Sequence, residues 1–231
     1  MAISNESRGR IRKVFEPIAL GMGRLGLTPD GLTLIGFGIT VIGALLVAQQ
    51  LWLAGGLVVF IGGVFDMFDG TLARATGKVS KLGAFMDSVF DRWGEAIVYL
   101  GIVVGSVASD FDEAATLAAA AMGAAFMVSY TRAKSEGLGF TSGTGMAAVG
   151  VMPREVRLVI LSLGLIAAGA FGVPILVPAV GATCIESCIQ PGGLVLLGAL
   201  AIIAIGATIT VIQRILHVRN QAKSATTHMT Q

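Results

Sequence analysis

Charge is what this sequence has least of. Asp, Glu, Lys and Arg make up 13% of its 231 residues, against about 25% for an ordinary soluble domain. With 55% hydrophobic residues and a mean hydropathy of +0.83, the composition is that of a polytopic membrane protein. Other shortages narrow the field. The two cysteines, Cys184 and Cys188, stand in a CxxxC spacing without a nearby histidine, which gives little support for zinc. Either a disulfide on an oxidising face or two reduced packing residues would account for them. The two histidines, His217 and His228, lie at the C-terminal end, where solvation is the default reading. The net charge of +2 comes without any nucleic-acid-binding module, so no nucleic-acid partner is expected. No apolar run ending in a small-residue cleavage site opens the chain, so no cleavable signal peptide is expected.

What is there is a series of apolar segments of about 20 residues, the length at which a helix crosses a bilayer. Six are expected, roughly over 31–49, 51–74, 82–107, 113–133, 155–177 and 191–214. Basic residues collect on cytoplasmic flanks. With the N-terminus inside, all 16 Lys and Arg residues fall on one side, and the turns on the other side contain none. The expected fold is therefore an all-α integral membrane protein with six transmembrane helices and both termini cytoplasmic. Residues 1–26 form a cytoplasmic juxtamembrane segment, in which Ile11, Val14, Phe15 and Ile18 alternate with Arg8, Arg10, Arg12 and Lys13 as in an amphipathic interfacial helix; a disordered basic leader is the alternative. Residues 27–219 form the membrane domain and 220–231 a polar tail. Multi-pass residence in the cell membrane follows, with membrane lipids as neighbours, and small-residue helix faces are compatible with a homodimer.

Against this apolar background Asp66–Asp91 stands out. Asp66, Asp69, Gly70, Ala73 and Arg74 recur at steps of three and four, which places them on one helix face. Gly83, Asp87 and Asp91 repeat at steps of four. The positions of Asp66 and Asp91, of Gly70 and Asp87, and of Arg74 and Gly83 share one constant sum, as residues facing each other across an antiparallel helical hairpin do. A carboxylate in a membrane span costs a few kcal/mol, so four together require compensation. Hard divalent cations supply it, since carboxylate oxygens suit Mg²⁺ or Mn²⁺ and can bridge two ions; one metal or two are both compatible with the spacing. Salt bridges to Arg74, Lys78, Lys81 and Arg92 are the alternative. Gly70, Ala73 and Gly83 remove bulk beside the acids and would admit a phosphate ligand, or would simply pack helices. Arg74, one turn past Gly70, fits a phosphate clamp or an interfacial anchor. Thr28 and Pro29 read as a helix start, with Asp30 and Thr33 on one face beyond them. A cation transporter or metal-binding scaffold fits less well than an enzyme. Transport sites sit near the midplane on interrupted helices of related halves, whereas these acids cluster toward one face and no repeat relates the halves.

The spacing Asp66-x-x-Asp69-Gly70-x-x-Ala73-Arg74, eight residues, Gly83, three residues, Asp87, three residues, Asp91 resembles the complete signature of the CDP-alcohol phosphotransferases. These are six-helix membrane enzymes that replace CMP in a CDP-linked lipid or alcohol with a hydroxyl-bearing acceptor. The resemblance implies that Asp66, Asp69, Asp87 and Asp91 hold the divalent metal, Mg²⁺ or Mn²⁺, in a two-ion site, and that Asp91 is also the general base for the acceptor hydroxyl. It implies CDP contacts from Gly70, Ala73, Arg74, Ser80 and Gly83, and from Asp30 and Thr33, which match a Pro-Asp/Asn-x-x-Thr pattern. The donor would be CDP-diacylglycerol, or CDP-archaeol in an archaeon.

The acceptor has to be read elsewhere. Arg132, Lys134, Arg154, Arg157 and Arg214 are expected to converge near Asp91 as a pocket for a second phosphate, although each would also serve as a topology flank. Phe15–Asp30, Ser129–Gly137, the Arg-x-x-Arg of Arg154 and Arg157, and Ile212–Arg214 are similar to the subgroup with inositol phosphate as acceptor, the bacterial phosphatidylinositol-phosphate synthases and their archaeal archaetidylinositol-phosphate relatives. One departure stands out: that subgroup carries Glu directly before the first of these arginines, and this chain has Pro153. The expected activity is phosphatidyl transfer from CDP-diacylglycerol to an inositol phosphate with release of CMP, with glycerol 3-phosphate, serine or free inositol as the other acceptors.

Overall fold

The computed structural model describes residues 16–140, 149–173 and 191–229, and every regular element among them is helical. We number the helices α1 (16–24), α2 (Pro29–Ala48), α3 (Trp52–Ala75), α4 (Lys81–Val107), α5 (Asp112–Gly137), α6 (Arg154–Phe171) and α7 (Pro191–Met229). The six long helices lie where the six apolar segments are expected. The amphipathic N-terminal segment is described only from residue 16, and Cys184 and Cys188 lie outside the described residues.

Local chemistry explains the boundaries. Thr28 caps α2, its Oγ1 accepting from Gly31 N at 3.1 Å, with Pro29 at the first helical position. Ser80 does the same for α4, its Oγ accepting from Gly83 N at 2.8 Å. Each cap satisfies one of the orphan N–H groups of a helix start. Gly77, at φ +67°, turns the chain between α3 and α4 in the left-handed region that glycine enters without steric cost.

Helices α2, α3, α5 and α7 (to Lys223) are long and apolar enough to cross a membrane. The other two long helices open on charged turns, α4 with Asp87, Asp91, Arg92 and Glu95 and α6 with Arg154, Glu155 and Arg157. The charges that dilute their hydropathy are the ones that build the site below.

Packing closes the six long helices into a ring: α2 lies between α3 and α4, α4 packs on α5, α5 on α7, α7 on α6, and α6 returns to α3. Helices α3 and α4 are consecutive and antiparallel, as the hairpin reading requires, but they are not principal packing partners, because α2 wedges between them. Lipid tails are as apolar as leucine, so close backbone approach rather than hydrophobic burial holds such helices together. Glycines make the approach. A Cβ on Gly43 would meet Val59 N of α3 at 2.9 Å, and one on Gly101 of α4 would run into the Ala44 carbonyl of α2. On the opposite flank, a Cβ on Gly56 of α3 would lie 2.8 Å from Ile166 N of α6.

Two cores follow from this plan. The larger runs through the ring, with Val47, Tyr99, Ile102, Leu165, Leu196, Leu200 and Ile203 fully buried. The smaller clamps α1 onto α2 and α3 through Ala19, Leu32, Phe68 and Leu72. Truncating a buried leucine of this kind costs about 2–5 kcal/mol. The smaller core stands directly beside Asp69, so α1 braces the site from the outer side of the ring.

Candidate active site

Asp66 and Asp69 of α3 come together with Asp87 and Asp91 of α4. Each interacts electrostatically with at least one of the others, and Asp87 faces both Asp66 and Asp69. Asp66 reaches over α2: a Cβ on Gly36 would sit 2.8 Å from its Oδ1, so glycine at 36 makes room for that carboxylate. Asp69 is buried and fixed by two donors, the Thr33 hydroxyl at 2.6 Å and the Gly70 backbone N–H.

The cationic partner comes from α6. Arg154 donates from Nη2 to Asp66 Oδ2 and from Nη1 to Asp91 Oδ1, both at 2.7 Å. Of the side chains expected as salt-bridge partners, Arg92 lies 3.7 Å from Asp91 Oδ2 and donates to Ser88 O at 2.6 Å, while Arg74 folds its guanidinium over Gly70. Among the described residues, no three Asp, Glu, His or Cys side chains close to metal-ligating distance, and Arg154 stands between two of the four carboxylates. The donor set nevertheless fits a hard divalent cation. It is all oxygen, it carries four formal negative charges, and Arg154 already occupies the position that an extra positive charge would take.

Two clefts open from this cluster and meet at Asp87. The first, about 240 Å³, is lined by Asp30, Thr33, Gly70, Ala73, Arg74, Ser80 and Gly83, along with Asp69 and Lys78. All seven residues expected on the donor side therefore share one cavity. Asp30 reaches it from α2, its Oδ1 3.2 Å from where a Cβ on Gly83 would stand. Ser80 gives one lone pair to the α4 cap while its O–H stays available to donate into the cleft.

The second cleft, about 370 Å³, is lined by Asp87, Asp91, Arg92, Arg132, Arg154, Arg157 and Arg214. Four of the five basic residues expected around the acceptor meet here. Lys134 is exposed and does not line the cleft. The four arginines differ in what they leave free. Arg132 is half exposed and pairs with Glu136 at 2.9 Å. Arg157, 1% exposed, is held by Glu95 through Nε and Nη2 at 2.7 and 2.8 Å and by Met152 O through Nη1 at 3.0 Å. Arg214, also buried, donates to Val149 O at 3.0 Å and to Val128 O. Arg154 retains an unpartnered buried Nε beside its two carboxylate contacts.

Glu95 was not among the expected site residues. Its signal is nonetheless in the sequence: it continues the Gly83, Asp87, Asp91 series by one more step of four and is the next acid in an otherwise apolar stretch. Glu136 and Pro153 on the second cleft are likewise additions.

Comparison with known proteins agrees with this geometry. A family model described as CDP-alcohol phosphatidyltransferase matches residues 26–218. The archaetidylinositol phosphate synthase of Pyrococcus horikoshii is 36% identical over 154 residues, 67% of this chain and 77% of that protein. The phosphatidylinositol phosphate synthase of Streptomyces avermitilis is 31% identical over 226 residues, 96% of this chain and 85% of that one. A crystal structure of the Mycobacterium tuberculosis phosphatidylinositol phosphate synthase with CDP-DAG bound superposes with a TM-score of 0.70 at 27% identity, covering 89% of this chain and 94% of that one. The same enzyme in complex with manganese and citrate gives a TM-score of 0.70 at 28% identity over 88% of each chain. With the complete aspartate signature, the shared helical architecture and the matched span in agreement, this chain belongs to the CDP-alcohol phosphatidyltransferase family.

Proposed function

We propose that this protein transfers a phosphatidyl group from CDP-diacylglycerol to an inositol phosphate and releases CMP, with Asp66, Asp69, Asp87 and Asp91 holding two Mg²⁺ ions. One observation carries the reading: two clefts of unlike character share the Asp87 wall, one lined by small residues and Arg74, the other by five arginines. That is the layout needed to bring a nucleotide-linked donor and a phosphorylated acceptor to the same carboxylates. The names of the relatives support the same donor and acceptor.

The roles follow from surroundings. Gly70, Ala73 and Gly83 keep the first cleft open to a bulky diphosphate, and Arg74, Lys78 and the Ser80 hydroxyl offer donors to it. Thr33 holds Asp69 in place, and Asp30 faces the same space. Divalent metal bound to the four carboxylates would neutralise the diphosphate and the departing CMP. Asp91, on the wall between the cluster and the second cleft, is the group positioned to take the proton of an acceptor hydroxyl. Arg132 and Arg154 offer charge to the acceptor's phosphate, while Arg157 and Arg214, with their nitrogens engaged by protein, shape the pocket.

The site belongs at the cytoplasmic face of the cell membrane in this proposal. Helices α2 to α7 span it with both termini inside, residues 1–26 lie along its inner surface, 27–219 form the membrane domain and 220–231 the tail. A homodimer through small-residue faces fits the same picture.

The deciding assay measures CMP release by purified protein with CDP-diacylglycerol and Mg²⁺ across inositol phosphate, glycerol 3-phosphate, serine and free inositol, and repeats it with CDP-archaeol. Inositol phosphate should give the highest kcat/KM, and EDTA should abolish release. Turnover with glycerol 3-phosphate but not inositol phosphate would overturn the acceptor assignment. Absence of metal-dependent release with every acceptor would overturn the enzymatic reading.

A further inference from the structure

Helices α4 and α6 are not neighbours in the ring, yet two ion pairs cross between them. Asp91 meets Arg154 at 2.7 Å. One turn further along both helices, Glu95 grips Arg157 through both carboxylate oxygens at 2.7 and 2.8 Å. The first rung belongs to the site already described. The second backs it: Arg157 lines the second cleft and Glu95 does not, and both are buried, Arg157 at 1% and the Glu95 side chain at 9% exposure.

A buried ion pair is weak evidence for stability, since its desolvation cost is often as large as its attraction and apolar replacements of similar volume are frequently neutral. What this rung does hold is geometry. Arg157 Nη1 donates to Met152 O at 3.0 Å, and Met152 N donates at 3.0 Å to Thr210 Oγ1 of α7, whose own hydroxyl donates to Gly206 O at 2.8 Å. Met152 is thus held through both its backbone N–H and its carbonyl. Pro153 follows as the N-cap of α6, with φ held at −67° by its ring. The next residue is Arg154. From the Glu95 carboxylate to the backbone of Arg154, every link is a buried or part-buried hydrogen bond or a proline.

We infer that Glu95 is a positioning residue for acceptor binding, setting the guanidinium of Arg154 at the mouth of the second cleft through Arg157, Met152 and Pro153. Pro153 becomes intelligible in the same terms: it stiffens the last link where the related subgroup has a flexible acid. The inference rests on the acceptor reading proposed above, and the test separates the two.

The test uses the full-length protein in detergent with two variants, the apolar pair Glu95→Leu with Arg157→Met and the near-isosteric Glu95→Gln. Thermal unfolding establishes that each is folded. The apolar pair is expected to raise the inositol phosphate KM by at least about tenfold while the CDP-diacylglycerol KM stays within about twofold, and Glu95→Gln to give a smaller rise in the same parameter. A readout independent of turnover is Mn²⁺ affinity. An Arg154 released from position competes less for Asp66 and Asp91, so the folded apolar pair should bind Mn²⁺ several-fold more tightly. A folded apolar pair with wild-type acceptor KM and wild-type Mn²⁺ affinity overturns the inference. So does an equal rise in both KM values, or the failure of both variants to fold, since either marks the rung as structural only. If the wild type does not use inositol phosphate, the acceptor reading fails by itself, and the comparison is made with the acceptor that works, or on Mn²⁺ affinity alone.

Discussion

Arg154 Nη1 stands 2.7 Å from Asp91 Oδ1, and the same guanidinium reaches Asp66 Oδ2 at 2.7 Å through Nη2. An arginine from α6 therefore bridges the bodies of α3 and α4, in the space that divalent metal would claim. On the metal site proposed above, the two cations would compete for the same oxygens, and an arginine displaced by metal would be free to turn to an acceptor phosphate in the adjoining cleft.

This competition predicts opposite effects on two ligands. Arg154→Ala should tighten Mn²⁺ binding several-fold, because no resident cation has to leave, and should raise the acceptor KM by about tenfold or more through loss of a charge-assisted contact. Titration calorimetry of the detergent-solubilised variant and acceptor kinetics measure the two separately. Weaker metal binding would mean that Arg154 organises the carboxylates rather than competing for them.

The Thr33–Asp69 hydrogen bond supports a second prediction. At 2.6 Å, with both residues buried, the hydroxyl is one of two donors that hold the carboxylate. Thr33→Val keeps the shape and removes the donor. A hydrogen bond to a charged group contributes about 1.5–3 kcal/mol, so the metal-free variant should unfold at lower temperature, with the donor KM raised and the acceptor KM unchanged. An unchanged unfolding temperature together with an unchanged donor KM would show that Asp69 is held by its backbone contact alone.

Much of the site was legible because it is local. Gly70, Ala73, Arg74, Ser80 and Gly83 lie on two helices and the short turn that joins them, and the rhythm of threes and fours puts Gly70, Ala73 and Arg74 on one face, so local spacing goes far toward bringing them to one cleft. What was not legible is which helices are neighbours. The insertion of α2 between α3 and α4 depends on glycines such as Gly101 meeting the Ala44 carbonyl, and a glycine carries no sign of the surface it will meet. The cross-ring pairs Arg154–Asp91 and Arg157–Glu95 depend on that order in turn. Lys134 shows the limit at short range: it is on the expected helix, but two residues from Arg132 is more than half a turn, which carries it away from the cleft that Arg132 lines.

Packing around Asp66 gives a third prediction. Gly36 contributes no side chain to the site, yet a Cβ there would come within 2.8 Å of Asp66 Oδ1. Gly36→Ala should displace that carboxylate and weaken Mn²⁺ binding by about tenfold, while the gain in helix propensity of about 1 kcal/mol offsets part of the crowding in overall stability. Folded protein with wild-type Mn²⁺ affinity would show that Asp66 has room to move or is dispensable as a ligand.

Membrane orientation makes the fourth prediction, and it tests the charge argument independently of the chemistry. The turn after α3 is flanked by Arg74, Lys78 and Lys81, whereas the start of α5 carries Asp112 and Glu113 without a basic neighbour. If Lys and Arg stay on the cytoplasmic side, these two positions face opposite compartments, although α4 alone separates them. With Cys184 and Cys188 replaced by serine, a cysteine at exposed Val79 should be shielded in intact cells from a membrane-impermeant maleimide and react after lysis, while one at exposed Asp112 should react in both. The reverse pattern would place the carboxylate cluster on the outer face, away from a cytoplasmic nucleotide donor, and equal labelling at both sites would mean that α4, with its charged residues Lys81, Asp87, Asp91, Arg92 and Glu95, does not cross the bilayer.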